Sequence, residues 1–575
     1  MDYFCIRKLP RLTSVSGICN NKSPMKTNPC KTALRVFAAA ALMAGGTTLP
    51  LSAQYARVLT TSGDRSRSLE QSVAAVDGND TYNSILLTDR RNQQIDGFGY
   101  AITYAACYNL FRMTPAERSE LLRRTFSPTD GYGVSYVRIS IGCNDFSSDE
   151  YTLCDEKGPD NDLLKNFRLH SDETDYVIPV MKEILSYNPD VKVIAAPWTP
   201  PLWMKVHADD NDRANPWTGG RLRPEYREAY GEYFARFVKA MADNGIRIHA
   251  VSPQNEPLNA GNSASLWMPW DEEADFVKYG LAPALHRAGL DTKIYLFDHN
   301  YNYDNKADQR HYPILAYDRM GTGFEGADLV AGSCWHNYGG QLSDIVDGVI
   351  NARKDKELIF TESSIGTWND GRNLWQRLPA DMEDLVIQPL GNRFKASMAW
   401  NFMLDEQNSP HRGEGACATC FGAIDLVATN PTQLRYNSHY YVMAHASDAV
   451  RPGAYRVDTD NWDHYSPGVN YNAFVNPDGS TGILLCNSGN TDVSDVKVTT
   501  AKGTYHFDVP ARGIVSARMD LPEHPMNSTG TVKLPMEASD LAQDITIYDL
   551  TGRTVDHPLS GTLYVTSTGL KVLYR

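Results

Sequence analysis

Two glutamates draw attention by where they fall. Glu256 closes the run IHAVSPQNE (248–256), and Glu362 lies near the end of ELIFTESS (357–364). Each ends an apolar, strand-like stretch, so each carboxyl is expected at the rim of a sheet rather than inside it. Two carboxyls about 5–5.5 Å apart, one protonated and one ionised, are what two-step cleavage of a glycosidic bond needs. The protonated group helps the leaving oxygen depart, and the ionised group attacks the anomeric carbon. A lone glutamate at a strand end is ordinarily a salt-bridge partner. The pair gains meaning only if the fold brings its members together.

The elements that would do so recur from about residue 94 to 405. Apolar runs at 95–103, 135–142, 191–198, 248–256, 293–300, 329–338, 357–364 and 396–404 alternate with amphipathic segments, among them 115–126, 174–187, 224–245 and 271–289. Thr114 followed by Pro115 is a helix start signal. Eight strands with intervening helices predict an α/β chain folded as a (β/α)8 TIM barrel. Glu256 then ends strand 4 and Glu362 strand 7, on opposite sides of the barrel mouth. Arg138, Trp198, Asn255, Asp298, His336, Tyr338 and Trp400 fall at the same strand ends, where such barrels carry their chemistry. Asp298 and His299 suit a catalytic or a structural network equally. Trp203, Trp267, Trp270 and Trp368 suit cover over the barrel better than sugar platforms.

After about residue 430 the texture changes to short alternating segments such as YNAFVNP, GILLCNSG and TYHFDVP. These predict an appended antiparallel β-sandwich. The expected organisation is a leader at 1–53, an N-terminal segment at 54–90 adding strands to the sandwich, and the barrel at 91–430. The sandwich follows at 431–521, then a linker and small β tail at 522–575. From Met25, the expected true start, a basic stretch, a short apolar run and small residues near Ala53 have the form of a signal peptide. The apolar run is too short to cross a bilayer. The expected location is therefore secreted, periplasmic or at the surface of a Gram-negative bacterium.

A net charge of −14 argues against a nucleic-acid partner, because phosphate binding needs clustered Lys and Arg. Cys5, Cys19 and Cys30 fall in the leader, leaving seven of the ten cysteines, an odd number that does not suggest a dense disulfide framework. Cys417 and Cys420 form a CxxC with no second such motif and no histidine pair at ligand spacing. That disfavours zinc and favours a local disulfide. No metal, cofactor, membrane span or obligate protein partner is expected.

The segment VSPQNEP (251–257) resembles the acid/base motif of glycoside hydrolase family 30, and LIFTESS (358–364) resembles its nucleophile motif. DGFG (96–99), APWTPPLWMK (196–205), WHNYGG (335–340) and WN (400–401) extend the resemblance over about residues 90–450. The resemblance implies a retaining β-glycosidase with Glu256 as acid/base and Glu362 as nucleophile. It implies that Asn255 binds the sugar 2-OH, that Tyr338 orients Glu362 and that Arg138 keeps it ionised. Trp198, Trp400 and His336 would line the subsite of the cleaved sugar. The glucosylceramidase branch carries a glucose-gripping Asp where this chain has Tyr104. With CATCFGAIDL (417–426), the chain is instead similar to a bacterial branch that includes endo-β-1,6-glucanases. This implies a β-glucan or β-glucoside substrate, most simply a β-1,6-glucan in an open cleft, with Tyr104 as a wall or stacking surface. The alternatives are a glucosylceramidase, an exo-acting β-glucosidase, β-xylosidase or β-fucosidase, and a catalytically inactive glycan-binding protein. IYDLTGR (547–553) resembles the sorting domains of the Bacteroidetes type IX secretion route.

Overall fold

The computed structural model describes residues 54–206, 216–302, 309–413, 415–460 and 466–522, with the backbone of three short strands at 547–548, 562–566 and 571–574. The expected signal peptide and most of the expected linker and tail lie outside the described residues.

Eight parallel strands close a barrel in chain order: β1 (Gly97–Ala101), β2 (Tyr136–Ser140), β3 (Lys192–Ala196), β4 (Ala250–Val251), β5 (Lys293–Asn300), β6 (Val330–His336), β7 (Glu357–Glu362) and β8 (Phe394–Ala399). Each arises from one of the apolar runs. Beneath the mouth the lumen is filled by side chains from seven of them, including Tyr136, Ile194, Tyr295, Cys334, Ile359 and Met398. β1 contributes Gly99, where a Cβ would meet the Tyr136 carbonyl oxygen at 1.7 Å, so the neighbouring strand can approach only because the side chain is absent.

Two irregularities shape the mouth. β4 stops at Val251, short of the expected run, because Pro253 has no N–H for the ladder. The SPQNE segment continues the wall irregularly: the Ser252 and Asn255 N–H groups donate to the Ala195 and Pro197 carbonyls, and Glu256 adopts a φ of 45° with its N–H donated to the Asp298 carbonyl at 3.0 Å. In β5 the register slips between Phe297 and His299, with positive φ at Phe297 and Asp298. Such a bulge re-aims side chains, and here it sets Asp298 and His299 together under the mouth.

Helix α1 (Tyr104–Arg112) is capped by the Thr103 hydroxyl, and α2 (Pro115–Phe126) opens on a full capping box of Thr114 and Glu117. A helix at Ser438–Ala449 is buried along its whole length. The expected sandwich included these residues. A helix that is covered on all sides shows no 3.6-residue periodicity to read.

The sandwich is one curled nine-stranded sheet. Its order is Glu70–Ala75, Tyr55–Thr61, Gly513–Leu521, Thr481–Asn487, Asn470–Val475, Tyr455–Asp460, Ser84–Gln94, Val493–Thr500 and Gly503–Val509. Val58, Ile85, Val457, Ile483, Val498, Phe507 and Val515 from along this order meet in a single core. Three of the strands precede the barrel in the chain. The buried helix ties sheet to barrel: His445 is bonded at 2.8 Å to both Ser516 and Thr61, and the Tyr440 carbonyl accepts from Tyr100 of β1 at 3.1 Å.

Candidate active site

Arg138, in the middle of β2, has no solvent exposure. Its Nη1 donates to Glu362 Oε2, and its Nη2 donates to Asn255 Oδ1 and to Asp298 Oδ2, both at 2.7 Å. The guanidinium carbon lies 5.1 Å from the Trp198 ring and 5.5 Å from the Trp400 ring. These two indoles are themselves 5.4 Å apart. A planar fork of donors suits this position, because it can hold three acceptors at fixed angles while stacking on aromatic faces.

Glu362 ends β7 and also accepts from the Tyr338 hydroxyl at 3.0 Å. Glu256 faces a different set. Its Oε2 accepts from Asn259 at 2.7 Å, and its Oε1 lies 3.2 Å from His336 Nδ1 and 3.7 Å from His299 Nδ1. His336 Nε2 lies 3.0 Å from Asp298 Oδ1, which also accepts from the Thr361 hydroxyl at 2.6 Å. The result is one chain of alternating partners, Glu362–Arg138–Asp298–His336–Glu256, that runs beneath the mouth and joins the two glutamates.

Charge within this chain follows from its contacts. Burial opposes a cation on His336, yet Glu362, Asp298 and Glu256 around it outweigh burial and push it up to about 9. Burial alone would raise the Glu256 carboxyl, but the His336 hydrogen bond and the charge of both histidines hold it down at about 2. Glu362 moves the other way: burial and repulsion from Glu256 push it up, against His336 and Arg138. With the shared proton on His336, Glu256 is thus the ionised member. Moving that proton across to Glu256 would remove the repulsion on Glu362 and leave it ionised beside Arg138.

The structure brings Glu256, Glu362, Arg138, Asn255, Trp198, Trp400 and Tyr338 into one mouth. His336 is also there, but fully buried between Glu256 and Asp298, so it underlies the pocket rather than lining it. Asp298, left open by the sequence, is the hub of the network. The Tyr104 ring sits 4.8 Å from Tyr176 and 5.9 Å from Tyr108 in an aromatic cluster at the head of α1. Trp203 covers the barrel, donating its indole N–H to the Cys154 carbonyl at 2.9 Å. Trp368 does not, being 52% exposed on the turn that follows β7.

Asp145 was not singled out by the sequence. It follows β2, its carbonyl accepts from the Arg412 N–H at 3.3 Å, and its neighbour Phe146 packs edge-on to Trp400 at 6.0 Å. Burial, and then the charge of Glu362, push its carboxyl up to about 7. The only signal was an Asn-Asp pair just past a strand end, which turns use as freely as active sites do. Cys417 and Cys420 are joined in a disulfide. That loop pairs Cys420 with Gly366, next to the turn bearing Trp368.

Paired carboxyls at the carboxyl-end face of a closed parallel barrel, flanked by indoles and held by a buried arginine, define the class: an O-glycosyl hydrolase. The family follows from comparison. The Glycosyl hydrolase family 30 TIM-barrel domain matches residues 95–450 and the family's beta sandwich domain matches 453–517, and the chain belongs to glycosyl hydrolase family 30. It is 29% identical over 437 residues to Endo-1,6-beta-D-glucanase BGN16.3 of Trichoderma harzianum, covering 74% of this chain and 84% of that one. It is 26% identical to the Lysosomal acid glucosylceramidase of Mus musculus, covering 78% and 85%. Among solved structures, the endo-beta1,6-glucanase BT3312 superposes with a TM-score of 0.76 at 44% identity, covering 81% of this chain and 99% of that one.

Proposed function

We propose that this protein is a secreted, retaining endo-β-1,6-glucanase in which Glu362 is the nucleophile and Glu256 the acid/base. The observation that carries the reading is the 44% identity with the endo-beta1,6-glucanase BT3312 along 99% of that chain. The contacts of the two carboxyls, rather than their resting charges, support the assignment of roles. Glu362 has a permanent cation and a phenol donor on it, which favour a carboxylate. Glu256 has a titrating partner, His336, and can take up or give back a proton over 3.2 Å.

In the first step the Glu362 carboxylate attacks the anomeric carbon as the glycosidic C–O bond breaks. Glu256, carrying the proton from His336, delivers it to the departing oxygen. In the second step Glu256 takes a proton from water, the water oxygen bonds the anomeric carbon, and the bond to Glu362 breaks. Asn255, which accepts from Arg138 at 2.7 Å, takes the role of bonding the sugar 2-OH in this reading. Trp198 and Trp400 give the cleaved sugar an apolar floor, and the exposed Trp368 offers a face to a chain that continues beyond it. The leader at 1–53 supports export.

Timed digestion of long β-1,6-glucan tests the reading. Mixed oligosaccharides should appear early, with little activity on glucosylceramide. Early release of glucose alone, or faster hydrolysis of glucosylceramide, would overturn it.

A further inference from the structure

Glu256 Oε1, His336 Nδ1 and His299 Nδ1 are collected around one point. The carboxylate oxygen is 3.2 Å from the first nitrogen and 3.7 Å from the second, and the donor atoms of the three residues all lie within 4.8 Å of one another. Zinc bonds to nitrogen and oxygen are about 2.0–2.2 Å, so tetrahedral geometry puts donor atoms about 3.3–3.6 Å apart. The two separations from the carboxylate oxygen bracket that edge, and the third lies within 4.8 Å.

The surroundings add what a borderline divalent cation requires. Two imidazoles and one carboxylate are a zinc-type ligand set. Asp298 lies 3.0 Å from His336 Nε2 and is itself bonded to Arg138 and Thr361. A carboxylate on the far nitrogen fixes the ring and strengthens the near nitrogen as a ligand. Both histidines have no solvent exposure while Glu256 keeps 6%, so the fourth position of a bound ion would face the mouth. His336 and His299 lie on different strands and far from Glu256 in sequence. This is why no ligand spacing could be read from the chain.

We propose that Glu256, His299 and His336 form a binding site for a divalent cation of the zinc type, and that filling it inhibits the enzyme reversibly. The ion takes the carboxylate that must carry the catalytic proton, displaces the proton on His336 Nδ1 to solvent as it binds there, and occupies space at the sugar-facing side of Glu256. Metal and glycan therefore exclude one another. Arg138, Tyr338 and Glu362 keep their contacts, so the effect is withdrawal of the acid/base and not collapse of the site.

The test uses tag-free enzyme freed of metal by a chelator and titrated with Co2+. One equivalent should bind and show the visible bands of a four- or five-coordinate ion, and Zn2+ should displace it. X-ray absorption of the one-equivalent zinc complex should show two imidazoles and oxygen, with no sulfur. Glu256→Gln and His299→Ala should each weaken binding at least about tenfold, with circular dichroism confirming the fold. The absence of saturable binding by about 1 mM Co2+, sulfur ligation, or unchanged binding in both variants would overturn the proposal. If a variant fails to fold, the absorption spectrum of the unaltered enzyme decides. No sugar enters these measurements, so their outcome is independent of the β-1,6-glucan digestion.

Discussion

Arg138→Met separates the electrostatic account of the site from a merely structural one. Methionine keeps an apolar chain between β2 and the Trp198 and Trp400 rings but removes the charge and all three donated hydrogen bonds, to Glu362, Asn255 and Asp298. Removing one partner of a buried ion pair costs about 3–5 kcal/mol of stability, so the urea midpoint should fall but a barrel of this size should remain folded. The sharper readout is pH. An opposite charge in contact lowers a carboxyl by about 1–3 units. Without Arg138 the Glu362 carboxyl rises by that amount, and a larger fraction of it is protonated at a given pH. The acidic limb of kcat/KM on an aryl β-glucoside should therefore move up by about 1–3 pH units. Part of the lost activity should return as the pH is raised. Arg138→Lys should fall between, because its ammonium keeps the charge but lacks the planar fork. An Arg138→Met enzyme that is folded, and whose acidic limb stays within about half a unit of wild type, would refute the claim that this arginine keeps the nucleophile ionised.

Glu362→Gln should abolish turnover while β-glucan binding persists in calorimetry; residual activity within about tenfold of wild type would remove Glu362 as nucleophile. Glu256→Ala should accumulate the glycosyl-enzyme on substrates with good leaving groups, and added azide should restore turnover as the β-glycosyl azide; an α-azide would mean inversion. His336 is raised to about 9 from an ordinary 6.5, so its contribution to stability is fully present below pH 6.5 and is lost as the pH rises through 9. The linkage amounts to about 3 kcal/mol, and urea unfolding at pH 6 and 9.5 should show a smaller fall in His336→Gln than in wild type. Equal falls would contradict the charged His336.

What the sequence revealed of this site is what short stretches of chain encode. Each barrel strand announces itself as an apolar run, and the polar residues within or just beyond it are read directly, so Arg138, Glu256 and Glu362 stand out from the order of residues alone. What depends on contacts between strands could not be read in this way. His336 was expected to face the sugar, yet the side chains of β5 enclose it. Asp298 owes its position to a bulge in β5, and no local pattern separates a bulge from a regular strand of the same composition. The contacts of the Tyr104 ring with Tyr108 and Tyr176 likewise join two separate segments and leave no local signal. The helix at Ser438–Ala449 was hidden for the opposite reason, since burial on every side erased its periodicity.

The order of strands in the curled sheet sets an order of events during synthesis. Tyr55–Thr61 pairs with Gly513–Leu521, and Ser84–Gln94 pairs with Tyr455–Asp460 and Val493–Thr500. The strands made first wait for partners made last. At about 5–20 residues per second, the intervening barrel takes roughly 20–80 s to emerge, and all eight of its strands are available before the sheet can be completed. Through that interval the early strands present unpaired edges, the feature that invites pairing with other chains. A ribosome that stops near residue 450 would release a whole barrel attached to open strands. The last seventy residues of the sheet thus act as a clasp that can close only once the chain of the barrel has been made.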